Sequence, residues 1–136
     1  MHRSLPPSTA CPCGRTGDRG RPLAFGACCG RWLGSEPAPD AEALMRSRYT
    51  AHVLGDGAYL LATWHPGTRP PDAEPAPATR WLGLEVRDFQ VVDDAHAEVE
   101  FIARYRVQGR GGRLHERSRF VREDDGRWYY VDGEIF

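Results

Sequence analysis

The alternation of apolar and polar residues predicts two helices in the middle of the chain. Downstream of Asp40, a good N-cap residue, apolar side chains recur at the three- and four-residue spacing of an amphipathic helix. They are Ala41, Leu44, Met45, Tyr49 and Val53. This helix is expected over residues 40–54. A second is expected over residues 58–64, because the residue before Pro66 avoids the α region.

Four later segments alternate apolar and polar residues with the period of two that is typical of β-strands. They cover residues 82–91, 98–107, 114–121 and 128–131. In the first segment Leu82, Leu84 and Val86 share one face, and the parity changes before Phe89. That change predicts a β-bulge near Arg87. Two helices followed by four antiparallel strands predict an α+β fold, with the helical hairpin packed on one face of the sheet.

Proline-rich segments separate these elements and suggest a domain boundary. Pro37 and Pro39 form a short stiff linker, which divides the chain into residues 1–36 and residues 37–136. Residues 66–78 carry too many prolines for a helix or a central strand, so we expect a surface loop there.

Composition narrows the class of protein. The chain has 136 residues, 40% of them hydrophobic, and a formal net charge of -1. This charge provides no positive field for general nucleic-acid binding. No apolar run approaches the ~18 residues of a membrane span, and the N-terminus lacks the pattern of a secretory signal. We therefore expect a cytoplasmic protein in a reducing compartment, without membrane association.

All four cysteines lie near the N-terminus, in the patterns Cys11-Pro12-Cys13-Gly14 and Cys28-Cys29-Gly30. Four thiolates complete the tetrahedral coordination of a structural Zn²⁺ ion and leave no open position for catalysis. Iron is an alternative occupant of such a site. Disulfides or free buried cysteines are the competing interpretations, but a reducing compartment and glycine-rich surroundings disfavour them.

The chain resembles the YchJ-like family of small bacterial proteins. These begin with a SEC-C motif, a zinc knuckle also found at the C-terminus of the SecA translocase. The matching stretches run in order along the chain. They are CPCG (11–14), CCG (28–30), LMRSRY (44–49), TWHP (63–66), RWLGLEV (80–86), VEFIARY (99–105), ERSRF (116–120) and GRWYYVDG (126–133).

The resemblance implies a nuclear transport factor 2-like domain, in which helices and a curved sheet form a cone with an internal cavity. It also implies that Cys11, Cys13, Cys28 and Cys29 are the metal ligands. The spacer between the cysteine pairs is longer here than is usual in the family. Many relatives also carry a second SEC-C motif at the C-terminus, which this sequence lacks, so a function that needs two knuckles is not expected.

Candidate chemistry in the second domain starts from His65, a possible general base between two tryptophans. Trp64, Trp81 and Arg69 are candidates for the wall of a ligand pocket. The favoured alternative is structural. In it the tryptophans anchor the core, and His65 caps the second helix by binding its terminal carbonyl groups.

Glu116 is the second candidate for chemistry. Strand parity places it on the same face as Phe120, so we expect it to point inward. A buried carboxylate needs a partner, and Arg46 or Arg48 on the first helix is the expected one. The alternative is a cavity acid, because ketosteroid isomerase, of the same superfamily, places a carboxylate inside its cone.

Two functions remain open at this stage. The first is an interaction protein whose knuckle contacts a protein or ribosome-associated partner, as the SEC-C resemblance implies. The second is a small enzyme or ligand carrier that uses the cavity with His65 and Glu116; an enzyme is the less favoured of these. A buried Glu116 without an arginine partner would favour the second function. We also expect the knuckle to be energetically separable from the main domain, because the linker is proline-rich.

Overall fold

A four-stranded antiparallel sheet forms the larger part of the fold, which the computed structural model describes for residues 3–73 and 79–136. The strands follow one another as a meander in the order β1-β2-β3-β4. They are β1 (Thr79–Asp93), β2 (His96–Val107), β3 (Arg110–Arg122) and β4 (Trp128–Ile135). The predicted α+β class and the four antiparallel strands are confirmed.

The hairpin between β2 and β3 is tighter than the sequence predicts. Only Gln108 and Gly109 form the turn, with φ angles of 51° and 79°. Two consecutive positive φ angles match the two-residue turn whose twist fits that of the strands. Gly112, which falls between the predicted strands 98–107 and 114–121, pairs with Tyr105 instead. A Cβ atom at position 112 would lie 2.7 Å from the Tyr105 ring, so a larger residue here would displace that ring.

Strand β1 contains the predicted bulge and two further register shifts that the sequence does not predict, between Trp81 and Gly83 and between Val91 and Asp93. The register with β2 shifts between Val86 and Asp88, which confirms the bulge at Arg87. It also shifts between Trp81 and Gly83, which turns Leu82 outward, 49% exposed. The expectation that Leu82 shares a face with Leu84 is therefore wrong, because the extra residue reverses the parity.

The helices are short apart from α2. After two 3₁₀ turns (Asp18–Gly20 and Phe25–Ala27), the helices are α1 (Cys29–Leu33), α2 (Ala41–Leu54) and α3 (Gly57–Ala62). Asp40 caps α2 as predicted, since its side chain accepts a hydrogen bond from the Ala43 N–H at 2.8 Å. Gly55, with a φ of 76°, ends the helix in the left-handed conformation.

Helix α3 ends two residues before Trp64, earlier than predicted. The chain here becomes extended and pairs with β4. The His65 N–H donates to the Tyr130 carbonyl at 2.7 Å, and the Tyr130 N–H donates to the Thr63 carbonyl at 2.9 Å. The expectation of a helix reaching Trp64 is wrong because these two bonds replace the last helical turn. This pairing fixes the tryptophan and the histidine on opposite sides of the segment.

Helix α2 is the centre of the fold. It contacts α1, α3 and three of the strands, and residues on nearly all of its sides are buried. Of the expected proline loop, residues 66–73 form neither helix nor strand, and residues 74–78 lie outside the described part. None of the helices in the described ranges has the length and apolar character needed to cross a bilayer.

Candidate metal centre and central cavity

The four cysteines come together in one buried cluster. Their Sγ atoms all lie within 4.8 Å of one another, and those of Cys13 and Cys28 are 3.6 Å apart. A tetrahedral site with Zn–S bonds of ~2.3 Å places its sulfur atoms ~3.8 Å apart. The cysteines are free thiols rather than disulfides. The donor set and its spacing therefore fit a single thiolate-bound metal ion.

Two turns and a small bridge position the cysteines. The N–H of Cys11 donates to the carbonyl of Leu23 at 2.9 Å, which ties the first pair to the segment that leads to the second. The N–H of Gly14 donates back to the Cys11 carbonyl at 3.1 Å, and Gly14 has a φ of 75°. This left-handed residue closes the first turn around the cluster. Cys29 is the first residue of α1, so the helix start fixes the second pair.

The electrostatics of the cysteine cluster favour a bound cation. Hydrogen bonds from Cys13, Cys28 and Cys29 lower the pKa of the Cys11 thiol. Hydrogen bonds with Cys11, Cys13 and Cys28, together with burial, raise the pKa of the Cys29 thiol. Four thiols so close together cannot all ionise without a positive charge among them. A bound metal ion would supply that charge and stabilise all four as thiolates.

The cysteine cluster is continuous with the core of the larger domain. The buried cluster that contains the cysteines also contains Leu44 and Met45 of α2 and Val99 of β2. Arg46 of α2 donates to the Cys13 carbonyl at 3.0 Å. The Sγ atom of Cys11 lies 3.9 Å from the hydroxyl of Thr50. The metal site is therefore built partly by helix α2.

A cavity of about 260 Å³ lies between α2, the inner face of the sheet and the segment that follows α3. Its walls are largely apolar and aromatic, and both tryptophans proposed from the sequence contribute to them. The lining residues are Met45, Arg48, Tyr49, His52, Trp64, Trp81, Phe101, Ala103, Leu114, Glu116, Ser118, Phe120 and Tyr130. The fold therefore has a cavity between the helix and the sheet, where the family resemblance implies one.

Glu116 points into this cavity and is only 8% exposed, as strand parity predicts. Its Oε2 atom accepts hydrogen bonds from the Ser118 hydroxyl at 2.6 Å and the Tyr130 hydroxyl at 3.1 Å. A Cβ atom at position 133 would overlap this carboxylate, so Gly133 makes room for it. Within the described residues no arginine forms an ion pair with Glu116, so the expected direct pairing is wrong.

Arg48 is nevertheless close by, because it lines the same cavity. Its Nη1 atom donates to the Leu60 carbonyl at 2.8 Å and to the Thr63 hydroxyl at 2.7 Å. Its guanidinium carbon lies 4.6 Å from the centre of the Tyr130 ring and 5.1 Å from that of Trp64. Burial lowers the pKa of Arg48 to about 10, and the neighbouring charges, that of Glu116 among them, oppose this shift. A guanidinium and a carboxylate thus line the same cavity.

His65 and Arg69 lie outside the cavity lining. The His65 ring bonds Glu123 at 2.9 Å through Nε2 and accepts the N–H of Gly67 at 3.0 Å through Nδ1. Arg69 donates to the carbonyl of Trp64 at 2.9 and 3.0 Å. The imidazole therefore does not cap α3, contrary to the structural alternative. His65 and Glu116 do not share a site, because His65 follows Trp64 in an extended segment and points the other way.

His52 also lines the cavity, although in the sequence it is an isolated histidine without ligand-spaced partners. It occupies the last turn of α2, and its ring lies 5.6 Å from that of Trp81. Burial, and secondarily the charge of Arg48, lower the pKa of His52 to about 4. His52 lies four residues after Arg48, so the two side chains share one side of α2, and this spacing was the only sequence signal for a shared site. The apolar neighbours Ala51 and Val53 gave no indication of a polar site.

This depressed pKa predicts that the protein loses stability on mild acidification. A histidine with a pKa of about 4 in the folded state and 6.5 in the unfolded state stabilises the fold above pH 6.5, and this contribution fades as the pH falls toward 4. At pH 5 the loss amounts to about 2 kcal/mol. Urea unfolding at pH 7.5 and pH 5 measures it. The variant His52→Gln is expected to lose about 2 kcal/mol less than the wild type, and equal losses would contradict the assignment.

The chain is similar to known proteins over most of its length. The family model for the middle, nuclear transport factor 2-like domain of YchJ matches residues 40–133. A UPF0225 protein of Polaromonas sp. is 57% identical, with 98% of this chain and 99% of the relative covered. The chain belongs to the YchJ family. This confirms the resemblance and the fold class.

Solved structures extend the comparison to the N-terminal segment. A SEC-C motif containing protein from Rhodopseudomonas palustris superposes with a TM-score of 0.81 at 35% identity, over 94% of this chain and 99% of the other. A SEC-C motif containing protein from Psychrobacter arcticus gives 0.78 at 30% identity, over 96% and 84%. Both structures match nearly the whole length of this YchJ family member, including the part that holds the cysteines.

Proposed function

We propose that the protein is a small zinc protein whose four cysteines hold a structural Zn²⁺ ion. The convergence of the four Sγ atoms to within 4.8 Å, all buried, carries this proposal. Four protein ligands close the coordination sphere, so the ion stabilises the fold rather than activating water. The solved relatives named for a SEC-C motif support the assignment.

Native mass spectrometry is expected to show one metal ion per chain under reducing conditions, with elemental analysis giving zinc rather than iron. The exchange Cys13→Ser removes one of four thiolates and should abolish retention of the ion, whereas Thr16→Ser on the exposed loop should leave it unchanged. A metal-free wild type that carries disulfides after reducing preparation would contradict the proposal.

We further propose that the domain carries a small apolar molecule in its cavity. The observation that favours this is a buried Glu116 that faces an open space and has hydroxyl groups rather than an arginine as hydrogen-bond partners. A carboxylate kept only for folding is expected to be ion-paired. A largely apolar pocket with a few converging polar groups is typical of ligand sites. The separation of His65 from Glu116 favours a carrier over an enzyme.

Toluene is a suitable probe for occupancy of this cavity. In ¹³C methyl spectra it should shift the signals of Met45 and Leu114 in a saturable way, because both line the cavity. The methyl signals of the exposed Leu82 are the internal reference and should not move. The variant Ala103→Met fills the cavity from β2 and should abolish the shifts. Shifts that grow linearly without saturation would exclude binding.

The interaction role is also a proposal, and the exposed hairpin between the cysteine pairs supports it. The Leu23 N–H donates to the Arg15 carbonyl at 3.0 Å, and the Gly17 N–H to the Arg21 carbonyl at 2.8 Å. Arg19 and Arg21 are exposed on this hairpin and would favour a protein or ribosome-associated partner with an acidic surface. Partners captured from extract by the wild type should be lost with Arg19→Glu/Arg21→Glu. Capture of the same set by both would argue against it.

A further inference from the structure

A buried hydroxyl group of α2 faces the cysteine cluster. Thr50 is fully buried, and its Oγ1 atom lies 3.9 Å from the Sγ atom of Cys11. Sulfur is larger than oxygen and accepts hydrogen bonds at longer distances, so this contact lies at the outer end of that range. Within the described residues it is the only hydrogen bond of the Thr50 hydroxyl. A buried hydroxyl without a partner costs free energy, so the sulfur satisfies a group that burial would otherwise penalise.

Other buried hydroxyl groups on the helices bond the helix backbone instead. Serine and threonine inside a helix commonly donate to a carbonyl group three or four residues earlier. In α2, Ser47 donates to the Leu44 carbonyl at 2.8 Å. At the end of α3, Thr63 donates to the Tyr59 carbonyl at 2.8 Å. In the described part of the chain the Thr50 hydroxyl makes no such bond and is directed at the cysteine sulfur.

Contacts one turn earlier hold α2 against the first cysteine pair. Arg46 donates to the Cys13 carbonyl at 3.0 Å, and its Nε atom donates to Glu42 at 2.8 Å. Residues 42, 46 and 50 are four positions apart, so they lie in one row along the helix. This row fixes the distance between the helix and the cysteine segment, and its last member, Thr50, reaches a ligand atom of the metal site.

We propose that Thr50 is a positioning residue of the metal site, whose hydroxyl donates a hydrogen bond to the Cys11 sulfur when that sulfur binds the ion. This inference rests on the proposed zinc site and adds to it a residue that is not one of the four ligands. A thiolate carries no proton, so the hydroxyl is the donor in the metal-bound protein. Groups that bond a ligand from outside orient it, and their loss typically lowers metal affinity about 10–100-fold.

Cobalt substitution tests this inference, because the sulfur-to-metal charge-transfer band of bound Co²⁺ reports directly on the sulfur lone pairs. A hydrogen bond stabilises these lone pairs and raises the energy of the band. Thr50→Val keeps the shape of the side chain and removes the hydroxyl, so the band should move to lower energy. The Zn²⁺ affinity, measured by competition with a chelator, should fall about tenfold. Thr50→Ser keeps the hydroxyl and should keep the wild-type band.

Thr63→Val is the matched control, because the same exchange removes a hydroxyl that bonds Tyr59 and Arg48 and, among the described residues, no cysteine. It should lower stability without moving the cobalt band, which separates an effect on the sulfur from an effect on folding. If Thr50→Val does not fold, Thr50→Ala removes the same hydroxyl with a better helix former and should show the same band shift.

The possible failures are distinguishable. A four-thiolate cobalt spectrum that is the same in the wild type and in Thr50→Val would overturn the inference and leave the zinc proposal standing. This holds even if the Zn²⁺ affinity falls, since the loss would then act through folding. A band shift in Thr50→Ser as large as that in Thr50→Val would also overturn it, because the hydroxyl would not be what preserves the band. A wild type that binds neither Zn²⁺ nor Co²⁺ would overturn both proposals.

Discussion

Removal of the metal is expected to unfold the whole chain in one cooperative transition. The cysteines belong to the same buried cluster as Leu44, Met45 and Val99, so loss of the ion exposes one face of α2 as well as the N-terminal segment. Structural zinc contributes about 10–16 kcal/mol to the folding of zinc-finger peptides, whereas a domain is stable by only about 5–15 kcal/mol. A strong chelator should therefore lower the thermal midpoint by more than about 20 °C or abolish the transition.

Hydrogen exchange can localise this effect. In the chelated protein the amides of β2 and β3, far along the chain from the cysteines, are expected to lose protection together with those of α1. The variant Cys13→Ser should behave like the chelated protein, and Thr16→Ser like the wild type. Protected β2 and β3 amides beside an exchanging N-terminal segment would instead identify the knuckle as an independent module.

This expectation reverses the one drawn from the sequence, and helix α2 explains why. The sequence shows one apolar stripe on α2, which predicts one buried face. The structure also buries Ser47, Arg48 and Thr50, because the cysteine segment, the sheet and α3 each cover a different side of the helix. A pattern of apolar positions treats every polar residue as exposed, so it underestimates how much of a helix with buried polar residues is covered. The proline linker predicted a separable knuckle on the assumption that the side of α2 away from the sheet faces solvent. In the structure the cysteine segment covers that side.

The regular elements were predictable because each leaves a local signal. Asp40 and Gly55 delimit α2, and the parity change before Phe89 gave the bulge at Arg87. The end of α3 was not predictable, since it depends on hydrogen bonds with Tyr130, more than sixty residues later along the chain. Long-range pairing of this kind has no counterpart in local periodicity.

The same contrast applies to the candidate site. The four cysteines were identifiable from their spacing, and strand parity placed Glu116 inside. The sequence-based pairing of His65 with Glu116 was wrong, because it depended on where the His65 side chain points. That direction could not be inferred while the segment was predicted to be helical. Once that segment is extended, Trp64 faces the cavity and His65 faces Glu123. The position of the Arg48 guanidinium over the Trp64 ring, both lining the cavity, therefore became visible only in three dimensions.

Replacement of Arg48 by methionine is expected to destabilise the protein by about 3 kcal/mol. The exchange removes two hydrogen bonds from a charged donor, which contribute about 1.5–3 kcal/mol each, and it leaves the Leu60 carbonyl without that donor. Methionine retains most of the apolar volume, so a new cavity contributes little. Urea unfolding at pH 7.5 measures the change. Arg87→Met, an exposed arginine paired with Glu85 on the surface, should cost less than about 0.5 kcal/mol.

A double-mutant cycle tests whether Arg48 also balances the charge of Glu116. The two side chains line one cavity, and the charge of Glu116 favours the charged form of Arg48. Without the guanidinium, the buried carboxylate loses its only cationic neighbour among the arginines of that lining, so Glu116→Gln should cost less in the Arg48→Met background than in the wild type. We expect a coupling of about 1 kcal/mol or more. Additive effects, within about 0.5 kcal/mol, would mean that the hydroxyl groups of Ser118 and Tyr130 alone hold the carboxylate and that the two charges act independently.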